Sequence, residues 1–274
     1  MALRRTNLAV DVPNNLNRLF RRRLNYRNEV LAQLRMRTNL EVTLFSRLQT
    51  LIRQHIMKQA KNLIDSNYVP QRSRREFQEL LTILLRRHYK KTFLAIYERN
   101  SNVYENLTRK DDAFDFSNVD FERVVTGYIS RNELRLTGIS RQLSKRLQGI
   151  IETGFGEGLT LTQIAKKLRD SAPVISRIRA NTIARTETHN ASSWANHKYH
   201  TDVTENLDLE LKKRWVSVGD MRTRASHHIA NNQVVPMHGN FIVGGKEMEY
   251  AGDPNGGASE TINCRCVIIY EDSV

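Results

Sequence analysis

The sequence predicts an α+β fold, with a mostly helical N-terminal region followed by a C-terminal domain of helices and a small antiparallel sheet. Three observations lead there. Apolar residues recur at three-and-four spacing through the first two thirds of the chain. Breakers are scarce between residues 14 and 64, with no glycine and no proline after Pro13. From Lys213 the pattern changes to short extended runs separated by glycine and proline turns.

Residues 14–64 read as helix, with Leu44, Phe45, Leu48, Leu51, Ile52 and Ile56 on one face. Pro70 marks a turn. A second helix follows, with Phe77, Leu80, Leu81, Leu84 and Leu85 on one side and Arg86, Arg87, Lys90 and Lys91 on the other. At helical spacing Tyr89 and Tyr97 are packing residues rather than base-stacking platforms. The polar stretch from Asn100 to Asp120 reads as a linker, which divides the chain near residue 110 into a basic helical region, 1–110, and an α+β domain, 111–274.

A further helix runs to about residue 152 on the stripe Ile139, Leu143, Leu147, Ile150. Gly154-Phe-Gly-Glu-Gly158 follows a helix, where a phosphate-binding loop needs a strand, so it is a helix-ending turn. Thr160 and Gln163 form a capping box for a helix that buries Leu161, Ile164, Ala165 and Leu168. Pro173 then separates it from another helix over about 176–200. The extended segments are Arg214–Val218, Gln233–Val235, Phe241–Val243 and Cys264–Tyr270.

With 274 residues, 39% of them hydrophobic, the chain can build a sizeable core. No apolar run approaches a membrane span, and Met1-Ala-Leu-Arg-Arg lacks a signal peptide's apolar stretch, so a cytoplasmic start is expected. Two cysteines one residue apart make no disulfide framework. The net charge of +14 is unevenly placed: residues 1–100 hold 21 Lys+Arg against 7 Asp+Glu, and residues 101–274 hold 22 against 22. Of those 21 cations 17 are arginine, the footprint of a region facing a polyanion, with nucleic acid ahead of an anionic membrane or an acidic protein. Arg21, Arg22, Arg23, Arg86, Arg87, Lys90 and Lys91 are the candidate DNA contacts.

Glu187 shares an apolar stripe with Ala184, Ala191 and Trp194, so it needs a buried cation, for which Arg222 or Arg224 is the expected partner. His227 with Cys264 and Cys266 could hold zinc; two small buried hydrophobes are the reading preferred, and no metal or cofactor is expected. Strand alternation would put Cys264, Cys266 and Ile268 on one face and leave Arg265 needing Asp220 or Asp253 as acceptor. Nothing in the sequence fixes the geometry of a Cys-His-Asp triad through Asp220, and the order and spacing of a His-Asn-His nuclease of His227, Asn263 and His238 fit poorly.

Four fragments occur in order: Gly158-Leu-Thr-Leu-Thr-Gln-Ile-Ala-Lys-Lys-Leu, Arg179-Ala-Asn-Thr-Ile-Ala-Arg-Thr-Glu-Thr188, Lys213-Arg-Trp-Val-Ser-Val-Gly-Asp-Met-Arg-Thr-Arg-Ala-Ser-His227, and Asp253-Pro254 with Ile262-Asn-Cys-Arg-Cys266. The series resembles the phage Mu F-like, or head-morphogenesis, family of minor head proteins of tailed bacteriophages, over about residues 150–270. Ala230-Asn-Asn stands where the family usually carries a glycine after the histidine. The resemblance implies a few copies inside the phage head near the portal vertex, reached from the host cytoplasm during assembly. It implies a role in head morphogenesis and in handling DNA during packaging or ejection. The implied partners are the portal protein, double-stranded phage DNA and the major capsid or scaffolding protein, with no membrane. No enzymatic activity and no catalytic residue come with it. Arg185, Glu187, Trp215, Asp220, Arg222, Arg224, His227, Asn263, Cys264, Arg265 and Cys266 are then a structural polar network. The alternative is a metal-dependent nuclease or toxin-like effector on the same domain.

Overall fold

The computed structural model describes residues 26–107, 116–207 and 210–272. Helix α1, Tyr26–Ile64, turns Leu40, Leu44, Leu48, Ile52, Ile56 and Ala60 into the core, one residue per turn. Leu51 and Phe45 flank that row and are only partly buried. Traced back by three and then four residues, the same face reaches Arg37 and Gln33, and both are buried. Helix α2, Pro70–Leu107, starts on Pro70, whose missing N–H costs nothing in a first turn. Its buried row is Phe77, Leu81, Leu85, Tyr89, Phe93 and Tyr97, whereas Leu80 is 49% exposed.

α2 continues through Asn100, where the sequence predicts a linker. Asn100 and Ser101 are buried polar residues, and the Asn100 amide donates to Asn196 Oδ1 at 2.7 Å. A polar pair facing inward looks like loop in a sequence and packs as helix in the fold. Asp120 is likewise no linker acid but the N-cap of α3, Phe121–Arg131, accepting from the backbone N–H of Glu122 and Arg123. Helix α4, Glu133–Gly156, buries Leu136, Ile139, Leu143, Leu147 and Ile151. Ile150 is only partly covered, so the stripe closes one residue later than the spacing predicts.

Gly158, at φ +71°, ends the turn after α4. The capping box then opens α5, with Gln163 Oε1 accepting from Thr160 N at 2.8 Å and Thr160 Oγ1 from Gln163 N at 3.3 Å. Helix α5 runs from Leu161 to Leu207, 47 residues with Pro173 inside, so the predicted break is absent. Proline removes one hydrogen bond from a helix. Here the buried stripe Leu168, Ala172, Ile175, Ala180 continues across it, and losing the helix would expose both halves.

Strands β1 (Leu211–Val216), β2 (Val234–Pro236) and β5 (Val267–Asp272) form an antiparallel sheet in the order β2-β1-β5. Lys213 pairs with Val235 on one side and Tyr270 on the other. β3 (Phe241–Val243) and β4 (Lys246–Met248) make a separate hairpin through Gly244-Gly245, both at positive φ. The polar Lys-Glu-Met strand carries no extended signal and goes unpredicted. Short helices α6, Ala225–Ala230, and α7, Gly257–Thr261, complete the described chain.

Helix α1 makes its most extensive contact with α5, and α2 and α4 also pack on α5. One apolar core runs from Leu44 and Tyr89 through Leu143 and Leu168 to Trp215, Cys264 and Tyr270. The change in charge near residue 110 therefore does not divide the core. Along α5 every residue from Thr186 to Asn196 is buried, because helices and sheet surround that segment. None of the described helices is long and apolar enough to cross a membrane.

Candidate functional site

The buried stretch of α5 is rich in polar side chains, and each needs a partner at low dielectric. Glu187 is 1% exposed. Its Oε2 accepts from Arg135 Nη2 at 2.9 Å and from Tyr89 hydroxyl at 2.6 Å. The Arg135 guanidinium is desolvated, yet the Glu187 carboxylate more than compensates and holds it more firmly protonated than usual. The buried arginine bridge is real, but its partner is Arg135 of α4. Arg222 and Arg224 are committed elsewhere: Arg222 is largely exposed beside Asp220, and Arg224 donates to the Ile262 carbonyl.

A cleft of about 410 Å³ opens next to this bridge, lined by Leu134, Arg135, Arg179, Ile183, Glu187 and Ile262 among others. Asn190, three residues on from Glu187, packs against Gly252. A Cβ on Gly252 would lie 2.3 Å from Asn190 Oδ1 and 3.2 Å from its Cα, at a φ of +93°. Gly252→Ala is expected to cost roughly 1–3 kcal/mol, read by urea denaturation; a neutral result would mean this turn can move away from α5.

One turn from Glu187 a second cluster begins. Arg37 of α1 donates through Nη1 to His189 Nδ1 at 3.1 Å and to the Cys266 carbonyl at 3.0 Å, and through Nη2 to Ser193 at 3.0 Å. Because arginine only donates, His189 Nδ1 must be the acceptor, which places the ring proton on Nε2. Burial lowers Arg37 to about 10.

His227, on α6, is 2% exposed. Its Nδ1 lies 3.2 Å from Cys266 Sγ and 3.7 Å from Cys264 Sγ, and its Nε2 lies 3.1 Å from Glu260 Oε2. Glu260 also accepts from Ser226 Oγ at 2.7 Å. Both sulfurs are buried. A hydrogen bond from Cys266 and the imidazoles of His189 and His227 hold the Cys264 thiol well below its usual value, while its tie to Cys264 and burial push Cys266 up. The cysteines do not lie on the strand as predicted. They sit in the turn before β5, after Asn263, which has a φ of +56° and whose N–H donates to Thr186 Oγ1 at 3.1 Å. Cys264, Cys266, Val267 and Ile268 are all buried, so strict alternation does not operate there.

Of the two acceptors predicted for Arg265 the fold selects Asp220, onto which it forks at 2.7 and 2.5 Å. That pair and the Arg222 N–H hold the Asp220 carboxyl well below the usual range. Asp220 thus faces Arg265, not His227, and no Cys-His-Asp triad forms. Nor do the nuclease candidates converge: His227 is buried, and His238 and Asn263 are exposed. Trp215 is fully buried, with its ring edge-on to both His227 and Phe241. Arg185 reaches Glu41 at 3.3 Å.

Of the candidate DNA contacts, Arg21, Arg22 and Arg23 lie outside the described residues. Lys90 and Arg86 pair with Glu122 of α3 at 2.6 and 3.6 Å, so part of the expected basic face is offset by an acid. Arg87 and Lys91 are exposed. The residues that sequence reasoning missed are Arg37, Tyr89 as a hydrogen-bond donor, Arg135, His189 and Glu260. Only Arg37 and Tyr89 carried a signal: Tyr89 continues a buried row at four-residue spacing, and Arg37 lies three residues before Leu40 on the same helical face.

Fold and site together define an α+β domain whose long, polar-cored helix is tied to α4 by a buried ion pair, with a buried histidine–cysteine cluster at the turn leading into the small sheet. Residues 145–269 match the family described as Phage Mu protein F like protein. The chain is similar to the minor head protein GP7 of Bacillus phage SPP1, 27% identical over 183 residues that span 64% of this chain and 56% of that protein. It is also similar to a protein of Enterococcus faecalis (strain ATCC 700802 / V583) named NAD(+)--arginine ADP-ribosyltransferase EFV, 31% identical over 137 residues that span 49% of this chain and 27% of that protein. The chain thus spans little more than half of one of these curated relatives and about a quarter of the other. No solved structure matches.

Proposed function

We propose that the chain is a minor head protein of a tailed phage, acting in head morphogenesis inside the virion. The observation that carries this reading is the match of residues 145–269 to the phage family together with similarity to a named minor head protein over 64% of the chain. In this reading the domain binds within the assembling head near the portal vertex, with the portal protein as its first partner and major capsid or scaffolding protein as further candidates. The basic first third faces packaged double-stranded DNA during packaging or ejection, supported by its 21 Lys+Arg against 7 Asp+Glu. Assembly begins in the host cytoplasm and ends in the head. The activity in the name of the Enterococcus protein is not carried over, because only 27% of that protein aligns. Co-purification of the chain with the portal in DNA-filled heads tests the proposal; absence from purified heads would sink it.

DNA contact makes its own expectation. Fluorescence anisotropy of the full chain on duplexes of different sequence should give similar affinities that fall steeply with salt. About five phosphate contacts give a log–log slope near −4 to −5. The full chain is required because α1 and α2 share their core with α5. Arg87→Glu with Lys91→Glu should flatten the slope by about two. A salt-independent affinity would remove DNA from the reading.

A further inference from the structure

We propose that His227, Cys264 and Cys266 bind a zinc ion that staples α6 to the turn leading into β5. Three side chains from two distant segments bring their ligand atoms within 4.8 Å of one another, all buried. Zinc holds nitrogen at about 2.0–2.1 Å and thiolate sulfur at about 2.3 Å, so tetrahedral angles set the N–S separation at about 3.6 Å. The two such separations here are 3.2 and 3.7 Å. A borderline metal with mixed nitrogen and sulfur donors fits this set; calcium and magnesium, which take oxygen, do not.

The surroundings agree. His227 turns Nδ1 to both sulfurs and Nε2 to the Glu260 carboxylate, which Ser226 holds in place. A carboxylate that takes the far ring proton fixes the tautomer and leaves the near nitrogen free to ligate. Two further buried ring nitrogens, His189 Nε2 and Trp215 Nε1, make no hydrogen bond among the described residues. Both of these rings interact with the sulfurs, His189 with Cys264 and Trp215 with Cys266. The tautomer that Arg37 imposes puts the ring proton of His189 on Nε2, so His189 is not a fourth ligand. The chain therefore supplies three ligands, and the fourth position falls to a non-protein group.

A Cys266–His227–Glu260 nucleophilic triad would use the same atoms. It requires a sulfur that substrate can reach, and Cys266 is 2% exposed. A staple also suits this part of the fold, where α6 has six residues and β2, β3 and β4 three each. Elements so short bury little surface of their own.

The test uses the full chain, purified reduced and without chelator. Elemental analysis should give about one zinc per chain, and cobalt added to stripped protein should produce a thiolate-to-cobalt charge-transfer band. Cys264→Ser, Cys266→Ser and His227→Gln should each abolish the band, and Glu260→Gln should weaken zinc affinity about 10–100-fold. If the three ligand variants do not fold, the wild-type metal content and the cobalt band still decide. Less than a tenth of a zinc per chain with no cobalt band would overturn the proposal. So would bound metal that survives all three ligand substitutions.

Discussion

Moving the protein from pH 7 to pH 5 is expected to remove most of its stability, well before its carboxylates titrate. Burial lowers His189 below the usual imidazole value and holds four further histidines neutral, three of them buried and His197 partly so. Burial lowers His88 and His197 to about 3, and His55 and His200 to about 4. Each is held in its neutral form by packing: His88 sits 2.9 Å from Thr188 Oγ1, His55 sits 3.2 Å from Ser73 Oγ, and His200 stacks on Tyr270 at 3.9 Å. His197 lies between Tyr250 and Tyr270. Between pH 6.5 and about 4 the unfolded chain binds protons at these rings and the folded chain does not. Stability therefore rises with pH across that window and is lost as pH falls through it. At about 1.4 kcal/mol per group per pH unit, four groups over 1.5 units remove up to about 8 kcal/mol, comparable with the whole stability of an ordinary domain. Urea denaturation at pH 7, 6 and 5 in constant salt measures the slope. His88→Gln should reduce it by about a quarter, and equal stability at pH 7 and 5 would refute this account.

Replacing Glu187 by alanine is the most damaging single change expected. It leaves the Arg135 guanidinium inside the protein, where two of its nitrogens, Nε and Nη1, already lack partners, and it removes the acceptor of the Tyr89 hydroxyl. Breaking a buried pair from one side costs roughly 3–5 kcal/mol. Glu187→Gln should cost less, since the amide oxygen still accepts. Tyr89→Phe removes one hydrogen bond and should cost about 1–2 kcal/mol. Because Glu187 and Arg135 line the cleft, Arg135→Met in the alanine background should restore part of the loss by removing the stranded charge. A loss under about 1 kcal/mol for Glu187→Ala would mean the carboxylate is solvated in solution, and would reopen a functional role at the cleft.

Much of this molecule is legible in its residues, because local geometry is periodic. The four-residue row from Leu44 to Ile56 predicts α1, Thr160 and Gln163 predict where α5 begins, and the Glu187 stripe predicts a buried carboxylate in need of a cation. Errors cluster where a local signal and the core disagree. Pro173 and the polar run after Asn100 both read as breaks, yet in each the helix continues because its inward face is already covered by another helix.

The sequence by itself determined the α+β class, the helical rows, the capping box, the uneven charge and the need of Glu187 and Arg265 for partners. Those follow from spacings of two, three and four residues and from the cost of burying a charge. Only the tertiary structure decided who the partners are. Glu187 meets Arg135, 52 positions away, Arg37 meets His189 across 152, and His227 meets Cys266 across 39. A charge buried by its own helix accepts whichever opposite group the neighbouring element presents, and that choice is set by how α1, α4, α6 and the turn before β5 pack around α5, not by any local spacing.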